Sequence, residues 1–356
     1  MKPGLVGTVL FFALCAGAIA YGVLSTAQTF RVEALLTQIE AAEDGVPYEG
    51  IRDMGGPDGA VRLKVASQGG HKRVEFLGLR GESKPATRRP ARVPLFNGIP
   101  VFLRPGEGRW RQGKRDYGLV VRNYEVVFSG QETVAGRAAD VIELRALHPG
   151  RPSYRIAADQ VNRFPLWFQV LQGAETVFEA RFESISFAPK FDEKTFEEKA
   201  PAPNWLKIDR KDVSEEQLKR EAASDVWLPA TLPAGFQQRG AEIFRVQVDE
   251  RVREAVKNFL PGGLPKIHVP VVHVNYSDGM ALLSVVECPA DSELWKFLKR
   301  FVPDSAKKTN GDIVARKFAD RRGAAYLLEL EGTVVLVAGN VSAEEIEKII
   351  PTFERR

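Results

Sequence analysis

The sequence predicts an α+β protein: an N-terminal curved antiparallel β-sheet, a half-barrel wrapped around one helix, followed by a smaller C-terminal α+β domain. Three observations predict this class. Residues 31–43 have apolar side chains at the spacing of an amphipathic helix, at Val32, Leu35, Leu36 and Ile39. Short β-branched or alternating runs follow, separated by Gly and Pro and without intervening helices, which is typical of an antiparallel meander. Strand and helix patterns are mixed only nearer the C-terminus.

Each further element is predicted from a local pattern. In the first domain, strand patterns cover residues 59–65, 73–79, 100–103, 117–128, 138–146, 153–159, 165–172 and 176–187. In the second domain, residues 313–318, 323–330 and 333–338 are predicted strands. Residues 292–302 have apolar side chains at helical spacing, and Ser342-Ala-Glu-Glu345 is a capping box that begins a last helix.

Four segments are predicted along the chain. Residues 1–30 are a signal peptide or an N-terminal membrane anchor, because residues 4–27 are apolar or small and would span about 36 Å as a helix. Both alternatives stay open, and both export the rest of the chain, since Lys2 precedes the segment. Residues 31–190 form the first domain, residues 191–226 a charged, proline-containing linker, and residues 227–356 the second domain.

Charge is concentrated in one region of the sequence. Residues 80–122 contain eleven basic and three acidic side chains, whereas the whole chain has a net charge of +4. Arg88, Arg89 and Arg92 are candidates for an anionic-ligand patch that attracts lipid head groups or an acidic peptide. The alternative is a solvated loop. Nucleic acid is not an expected partner of an exported protein.

Several strings carry a family resemblance. In the first domain they are residues 134–144, 154–156, 164–166 and 178–185; in the second they are Leu232-Pro-Ala-Gly-Phe236, residues 275–287 and residues 334–346. On these strings the chain resembles the RseB and MucB family of periplasmic regulators, whose N-terminal domain is similar to the LolA and LolB folds. The basic, proline-rich part of residues 70–117 departs from the family pattern and looks like an insertion.

The resemblance implies a function in the envelope stress response. The expected protein lies on the periplasmic side of the bacterial inner membrane, soluble if its leader is cleaved and anchored through residues 4–27 if not. It would bind the periplasmic segment of a membrane anti-sigma factor of the sigma-E type, protect it from proteolysis, and sense lipid or lipopolysaccharide. The alternative is a LolA-like carrier of lipid or lipoprotein.

Two sets of residues are candidate binding sites. Phe236, Tyr276 and Asp278 are the candidates for contacting the protein partner, although the short polar residues Ser277-Asp-Gly279 are also those of a simple hairpin turn. A lipid cleft between helix and sheet would be lined by Leu36, Val74, Phe76, Trp167, Phe168 and Phe178. The alternative for this second set is ordinary hydrophobic core.

The sequence predicts neither an enzyme nor a metal or cofactor site. His268 and His273 are five residues apart, so on a strand they face opposite sides, and no cysteine or carboxylate pair completes a metal site. Ser305-Ala-Lys-Lys308 has the S-x-x-K spacing, but Ser277 precedes it, the reverse of the order found in penicillin-recognising enzymes. Cys288 is the only thiol after the leader, so no disulfide is expected within the exported part.

Overall fold

The computed structural model describes residues 31–57, 59–79, 115–196, 206–222, 225–248, 270–298, 306–308, 314–320 and 323–356. The predicted leader and the predicted strand at residues 100–103 lie outside these ranges. We refer to residues 31–196 as the N-terminal domain and to residues 206–356 as the C-terminal domain, because each contains one eight-stranded sheet. Among the residues described, no helix is long and apolar enough to cross a membrane.

The N-terminal domain is an open antiparallel sheet. Its strands are β1 (Tyr48–Gly56), β2 (Gly59–Gln68), β3 (His71–Leu79), β4 (Tyr124–Val134), β5 (Arg137–Ala146), β6 (Ser153–Asp159), β7 (Pro165–Gln172) and β8 (Glu175–Ser186). They lie in the order β3-β2-β1-β8-β7-β6-β5-β4 and every neighbouring pair is antiparallel, so β3 and β4 are the edges. The predicted meander is confirmed.

Helix α1 (residues 31–45) lies on one face of this sheet. Leu36 and Ile39, from the predicted apolar stripe, are buried in a cluster with Ile142, Tyr154 and Ile156 of the sheet. The predicted helix is therefore present, and it buries the face that its periodicity indicated.

One local prediction in this domain was wrong, and one strand was not predicted. Residues 117–123, expected to begin a strand, form helix α2 (Tyr117–Asn123), because the carboxylate of Asp116 accepts a hydrogen bond from the N–H of Leu119 at 2.9 Å and caps the helix. Strand β1 was not predicted, since its glycines and charges interrupt the alternation. At Gly50, a side chain would collide with the backbone oxygen of Ser184 on β8.

The C-terminal domain has a second eight-stranded antiparallel sheet. Its strands are β9 (Leu206–Asp212), β11 (Gln237–Val248), β12 (Val271–Ser277), β13 (Leu282–Pro289), β14 (Ala306–Lys308), β15 (Val314–Asp320), β16 (Gly323–Leu330) and β17 (Thr333–Gly339), in the order β14-β15-β16-β17-β13-β12-β11-β9. Strands β10 (Trp227–Pro229) and β18 (Phe353–Arg355) form a separate pair. The described helices are α3 (Glu215–Glu221), α4 (Glu293–Leu298) and α5 (Ala343–Ile349).

The segment predicted as a linker is partly folded into this domain. Strand β9 pairs with β11 from Leu206 opposite Val248 to Asp212 opposite Glu242, and α3 follows it. The charged sequence of this segment belongs to an edge strand and an exposed helix, which need less apolar surface than central elements.

Candidate functional site at the domain interface

The turn between β12 and β13 is the part of the C-terminal domain that reaches into the N-terminal domain. It is braced by its own side chains: the hydroxyl of Ser277 donates to the carbonyl of Ala281 at 2.8 Å and accepts from the N–H of Gly279 at 3.0 Å. One carboxylate oxygen of Asp278 accepts from the N–H groups of Met280 and Ala281 at 3.0 and 2.7 Å. The local bonding expected of these short polar residues is therefore present.

The tip of this turn touches α2 directly. Gly279 has a φ of 104°, and a Cβ there would lie 2.7 Å from the backbone nitrogen of Val120. Only glycine fits both the conformation and the space. The neighbouring Met280 packs against the apolar cluster of the N-terminal domain that contains Val120, Tyr124 and Leu36. The turn thus closes one end of that domain's core.

A buried ion pair joins the two domains beside this turn. Arg151, in the loop between β5 and β6, donates from Nη1 to Asp278 at 2.6 Å, and both side chains are only 1% exposed. Its Nη2 donates to the carbonyl of Ala234 at 2.8 Å and lies 3.5 Å from Glu345. The guanidinium also lies 4.3 Å from the ring centre of Phe236. One arginine of the N-terminal domain therefore contacts four residues of the C-terminal domain.

Tyr124 and Asn123 complete the polar centre of the interface. The hydroxyl of Tyr124 donates to Asp278 at 3.0 Å. Burial raises the pKa of this hydroxyl, and the nearby Tyr154 and Asp278 raise it further, so it keeps its proton at neutral pH. The amide of Asn123 donates to the carbonyls of Asp278 and Gly235 at 2.9 and 3.2 Å.

Three further contacts surround this centre. The amide of Asn340 donates to the hydroxyl of Tyr154 at 3.2 Å. The backbone N–H of Ser342 donates to the carbonyl of Gly150 at 2.7 Å. At the rim, Arg239 bonds to Asp116 at 3.0 Å, and these two side chains are 37% and 35% exposed. The centre of the interface is therefore buried, and its rim is partly exposed to solvent.

The residues predicted to contact a protein partner lie at or beneath this interface. Phe236, Tyr276 and Asp278 are 6%, 3% and 1% exposed, respectively. Phe236 and Asp278 contact Arg151, whereas Tyr276 packs in the core of the C-terminal domain. Their role in partner binding stays a prediction, and in this domain arrangement they contact the protein itself.

The predicted lipid-cleft residues divide between two faces of the N-terminal sheet. Leu36 lies on α1 and is buried against the sheet, and the pairing of Phe168 with Ile156 and of Phe178 with Val170 places both phenylalanines on the face that α1 covers. Val74 and Phe76 also lie on that face, opposite Val65 and Leu63, on edge strand β3. Each of these two is 54% exposed.

Trp167 lies on the other face of the sheet. The guanidinium groups of Arg155 and Arg181 lie 5.9 and 5.1 Å from its ring centre, and its indole N–H donates to Glu179 at 2.6 Å. A line of charged side chains continues along this outer face to a cavity of about 490 Å³ lined by Arg181, Arg62 and Asp53 among others. Trp167 thus lies against charged side chains of the outer face, and its buried ring also belongs to an apolar cluster that includes Val141 and Ala157.

Two further sets of residues considered in the sequence are the basic patch and the two histidines. Arg88, Arg89 and Arg92 lie outside the described residues, as does His268. Within the described ranges, no group of three His, Cys, Asp or Glu side chains could hold a metal ion. His273 instead bonds through Nδ1 to Glu242 at 2.7 Å.

Sequence reasoning missed Arg151, Tyr124 and Asn123. Arg151 occurs in the loop sequence His148-Pro-Gly-Arg-Pro152, where an arginine is ordinarily solvated, and its partner Asp278 is 127 residues away. Of the residues at this interface, the Ser277-Asp-Gly279 string was the sequence signal that indicated a structured turn.

Comparison with known proteins identifies the N-terminal domain. Residues 31–200 match the family model of the MucB/RseB N-terminal domain. This part of the chain belongs to that family. No curated protein sequence matches the chain.

Two solved structures share the fold over both domains. One is MucB in complex with MucA(peri), at 15% identity and a TM-score of 0.52, covering 91% of this chain and 99% of MucB. The other is the MucA/MucB complex of Pseudomonas aeruginosa, at 15% identity and a TM-score of 0.50, covering 92% and 99%. The arrangement of a MucB/RseB N-terminal domain followed by a second sheet is therefore common to these proteins.

Proposed function

We propose that this protein is a non-enzymatic envelope regulator that binds the extracytoplasmic segment of a membrane anti-sigma factor. The match of residues 31–200 to the MucB/RseB N-terminal domain carries the proposal. The likeness of the whole fold to MucB, crystallised with MucA(peri), supports it. In this proposal the chain acts on the periplasmic side of the inner membrane, with residues 4–27 as its signal peptide or anchor.

Lipid or lipopolysaccharide sensing is the second part of the proposal. It is supported by Val74 and Phe76, which expose apolar side chains on the α1 face of the N-terminal sheet. Exposed apolar groups that adjoin a buried apolar face are a suitable place for acyl chains. The same observation favours the second candidate function, a LolA-like lipid or lipoprotein carrier.

A capture experiment tests the partner. The full chain, purified with a C-terminal tag, is incubated with detergent-solubilised inner membranes, and captured proteins are identified by mass spectrometry. We expect a single-span membrane protein with an extracytoplasmic segment, and we expect that the purified segment alone binds the chain. Failure of every captured protein to bind through its extracytoplasmic segment would contradict the proposal.

The carrier alternative predicts a different result in the same preparation. The purified chain would carry acyl lipid detectable by mass spectrometry, transfer it to acceptor vesicles, and capture no membrane protein. Lipid together with a specific protein partner would instead support a regulator that senses lipid.

A further inference from the structure

The domain interface differs from the two domain cores in what holds it together. Its centre consists of an ion pair and hydrogen bonds among Arg151, Asp278, Tyr124 and Asn123, with Met280 as an apolar contact beside them, whereas each domain core is a large buried apolar cluster. Among the backbone hydrogen bonds outside helices and strands in the described residues, the one from Ser342 to Gly150 crosses between the domains. Separating the domains would therefore leave the ladders of both sheets intact.

Removing one member of the Arg151–Asp278 ion pair should destabilise the closed interface more than the intact pair stabilises it. While both are present, the two opposite charges pair at 2.6 Å although both side chains are buried. If Asp278 is neutralised, the buried Arg151 keeps only the more distant Glu345 at 3.5 Å; if Arg151 is removed, Asp278 stays buried without its cation, and either change is unfavourable. Both residues lie in connections, Arg151 between β5 and β6 and Asp278 between β12 and β13, so opening the interface hydrates the remaining charge without unfolding either sheet.

We propose that the turn formed by residues 277–281 is a latch that holds the two domains closed, and that breaking the Arg151–Asp278 pair releases them as rigid bodies. Opening exposes Phe236 and Asp278, which are buried in the closed form. The latch goes beyond the proposed function and does not depend on it, since it concerns only contacts within this chain.

Hydrogen–deuterium exchange of the full chain tests the latch. In Asp278→Asn, the oxygen of the new side-chain amide can still accept the N–H groups of Met280 and Ala281. Its NH₂ group replaces the carboxylate oxygen that accepts from Arg151, so the bond to Arg151 is lost. We expect exchange at the N–H of Ser342 to accelerate by about tenfold or more, with amides in the centres of β5 and β13 unchanged. The double variant Arg151→Met/Asp278→Asn also removes the buried guanidinium that Asp278→Asn deprives of its nearest carboxylate, so its acceleration should be smaller.

Arg239→Gln is the matched control. It removes an ion pair that also crosses between the domains but is exposed, so it should leave exchange at Ser342 within about twofold of the wild type. Unchanged exchange at Ser342 in Asp278→Asn would overturn the latch, as would equal acceleration in the β5 and β13 amides, which would indicate unfolding.

Two glycine-to-alanine substitutions, at Gly150 and at Gly136, test the latch without changing any charge. They can be used even if Asp278→Asn does not fold. Gly150 and Gly136 have nearly the same φ, 74° and 75°, so alanine strains both backbones alike. A Cβ at Gly150 would lie 2.5 Å from the Ser342 hydroxyl across the interface, whereas at Gly136 nothing lies within 4 Å. We expect Gly150→Ala, but not Gly136→Ala, to accelerate exchange at Ser342. The same rate in both variants would overturn the proposal.

Discussion

The backbone N–H of Trp227 donates a hydrogen bond to one carboxyl oxygen of Glu287 at 3.0 Å, and the second oxygen of that carboxyl is buried with no hydrogen-bond partner among the described residues. Glu287 is 2% exposed. Burial raises the pKa of this carboxyl to about 8, although the Trp227 N–H lowers it in part. The carboxyl is therefore protonated in the folded protein at neutral pH.

The raised pKa of Glu287 predicts that the folded protein is less stable at high pH. In the unfolded chain this carboxyl ionises near its ordinary pKa of about 4.3, so between there and about 8 the folded state holds one more proton. Stability should fall by roughly 1.4 kcal/mol per pH unit over that window and level off above it. Denaturant unfolding of Glu287→Gln from pH 5 to pH 9 should lack this slope; an unchanged slope would assign the effect to another group.

Asp159 makes the opposite contribution to pH dependence. It accepts hydrogen bonds from Arg137 at 2.5 Å and from the N–H groups of Val161 and Asn162. Burial alone would raise the pKa of this carboxyl, but these donors outweigh burial and lower it. Its stabilisation is therefore present above the unfolded pKa of about 3.9 and is lost as pH falls through the lower folded value.

The Asp159→Ala substitution measures that contribution. It leaves Arg137 and two turn N–H groups without their acceptor, so we expect a loss of about 2 to 4 kcal/mol in the free energy of unfolding at pH 7. Glu132→Ala, at an exposed position on β4, is the control and should change it by less than about 0.5 kcal/mol. Equal effects of the two substitutions would show that the Asp159 turn is not a stability determinant.

Gly50 predicts a strong dependence on side-chain size. Its missing Cβ leaves room for the backbone of β8 at Ser184, so Gly50→Ala should lower the free energy of unfolding by about 2 kcal/mol or more. Gly240→Ala, also in a strand but with nothing within 4 Å, should be neutral or slightly stabilising. The midpoints of chemical denaturation of the two variants test this prediction. Similar midpoints would contradict it and show that β1 and β8 can move apart.

Because Phe76 is exposed at the edge of the apolar face, we expect its substitution to weaken lipid binding without lowering the stability of the fold. Phe76→Ser should change the free energy of unfolding by less than about 1 kcal/mol, because the side chain is 54% exposed. If acyl chains bind this face, the variant should bind phosphatidylglycerol vesicles more weakly in a co-sedimentation assay. Phe128→Ser, 60% exposed on the opposite edge strand β4, is the control. Equal vesicle binding by wild type and Phe76→Ser would remove β3 from the lipid site.

The fold was largely predictable because it depends on local patterns. Residues 323–330 form a strand with the predicted bounds, and the stripe of α1 packs as its period indicates. The elements that were not predicted are those whose secondary structure is determined by a contact distant in sequence or by a single capping residue. Gly50 is needed by β8, and Asp116 turns residues 117–123 into a helix. The family resemblance, but no local pattern, indicated how the two domains function together.

The candidate site was less predictable for the same reason. Asp278 was singled out, but its partner Arg151 is a loop residue whose burial depends on the docking of two separately formed sheets. Periodicity reports which face of an element is buried in its own sheet, and it contains no information about which loop of another domain lies against a turn. Such a pairing is visible only in three dimensions.

Cys288 supplies a built-in reporter of unfolding. Its side chain is buried beside Trp295 and Val334, and burial raises the pKa of the thiol to about 11, so it is neither accessible nor ionised at neutral pH. Thiol reagents react with the thiolate and need access to it. The rate at which a maleimide modifies Cys288 should therefore track opening of the C-terminal sheet itself, and should be insensitive to domain separation that leaves that sheet folded.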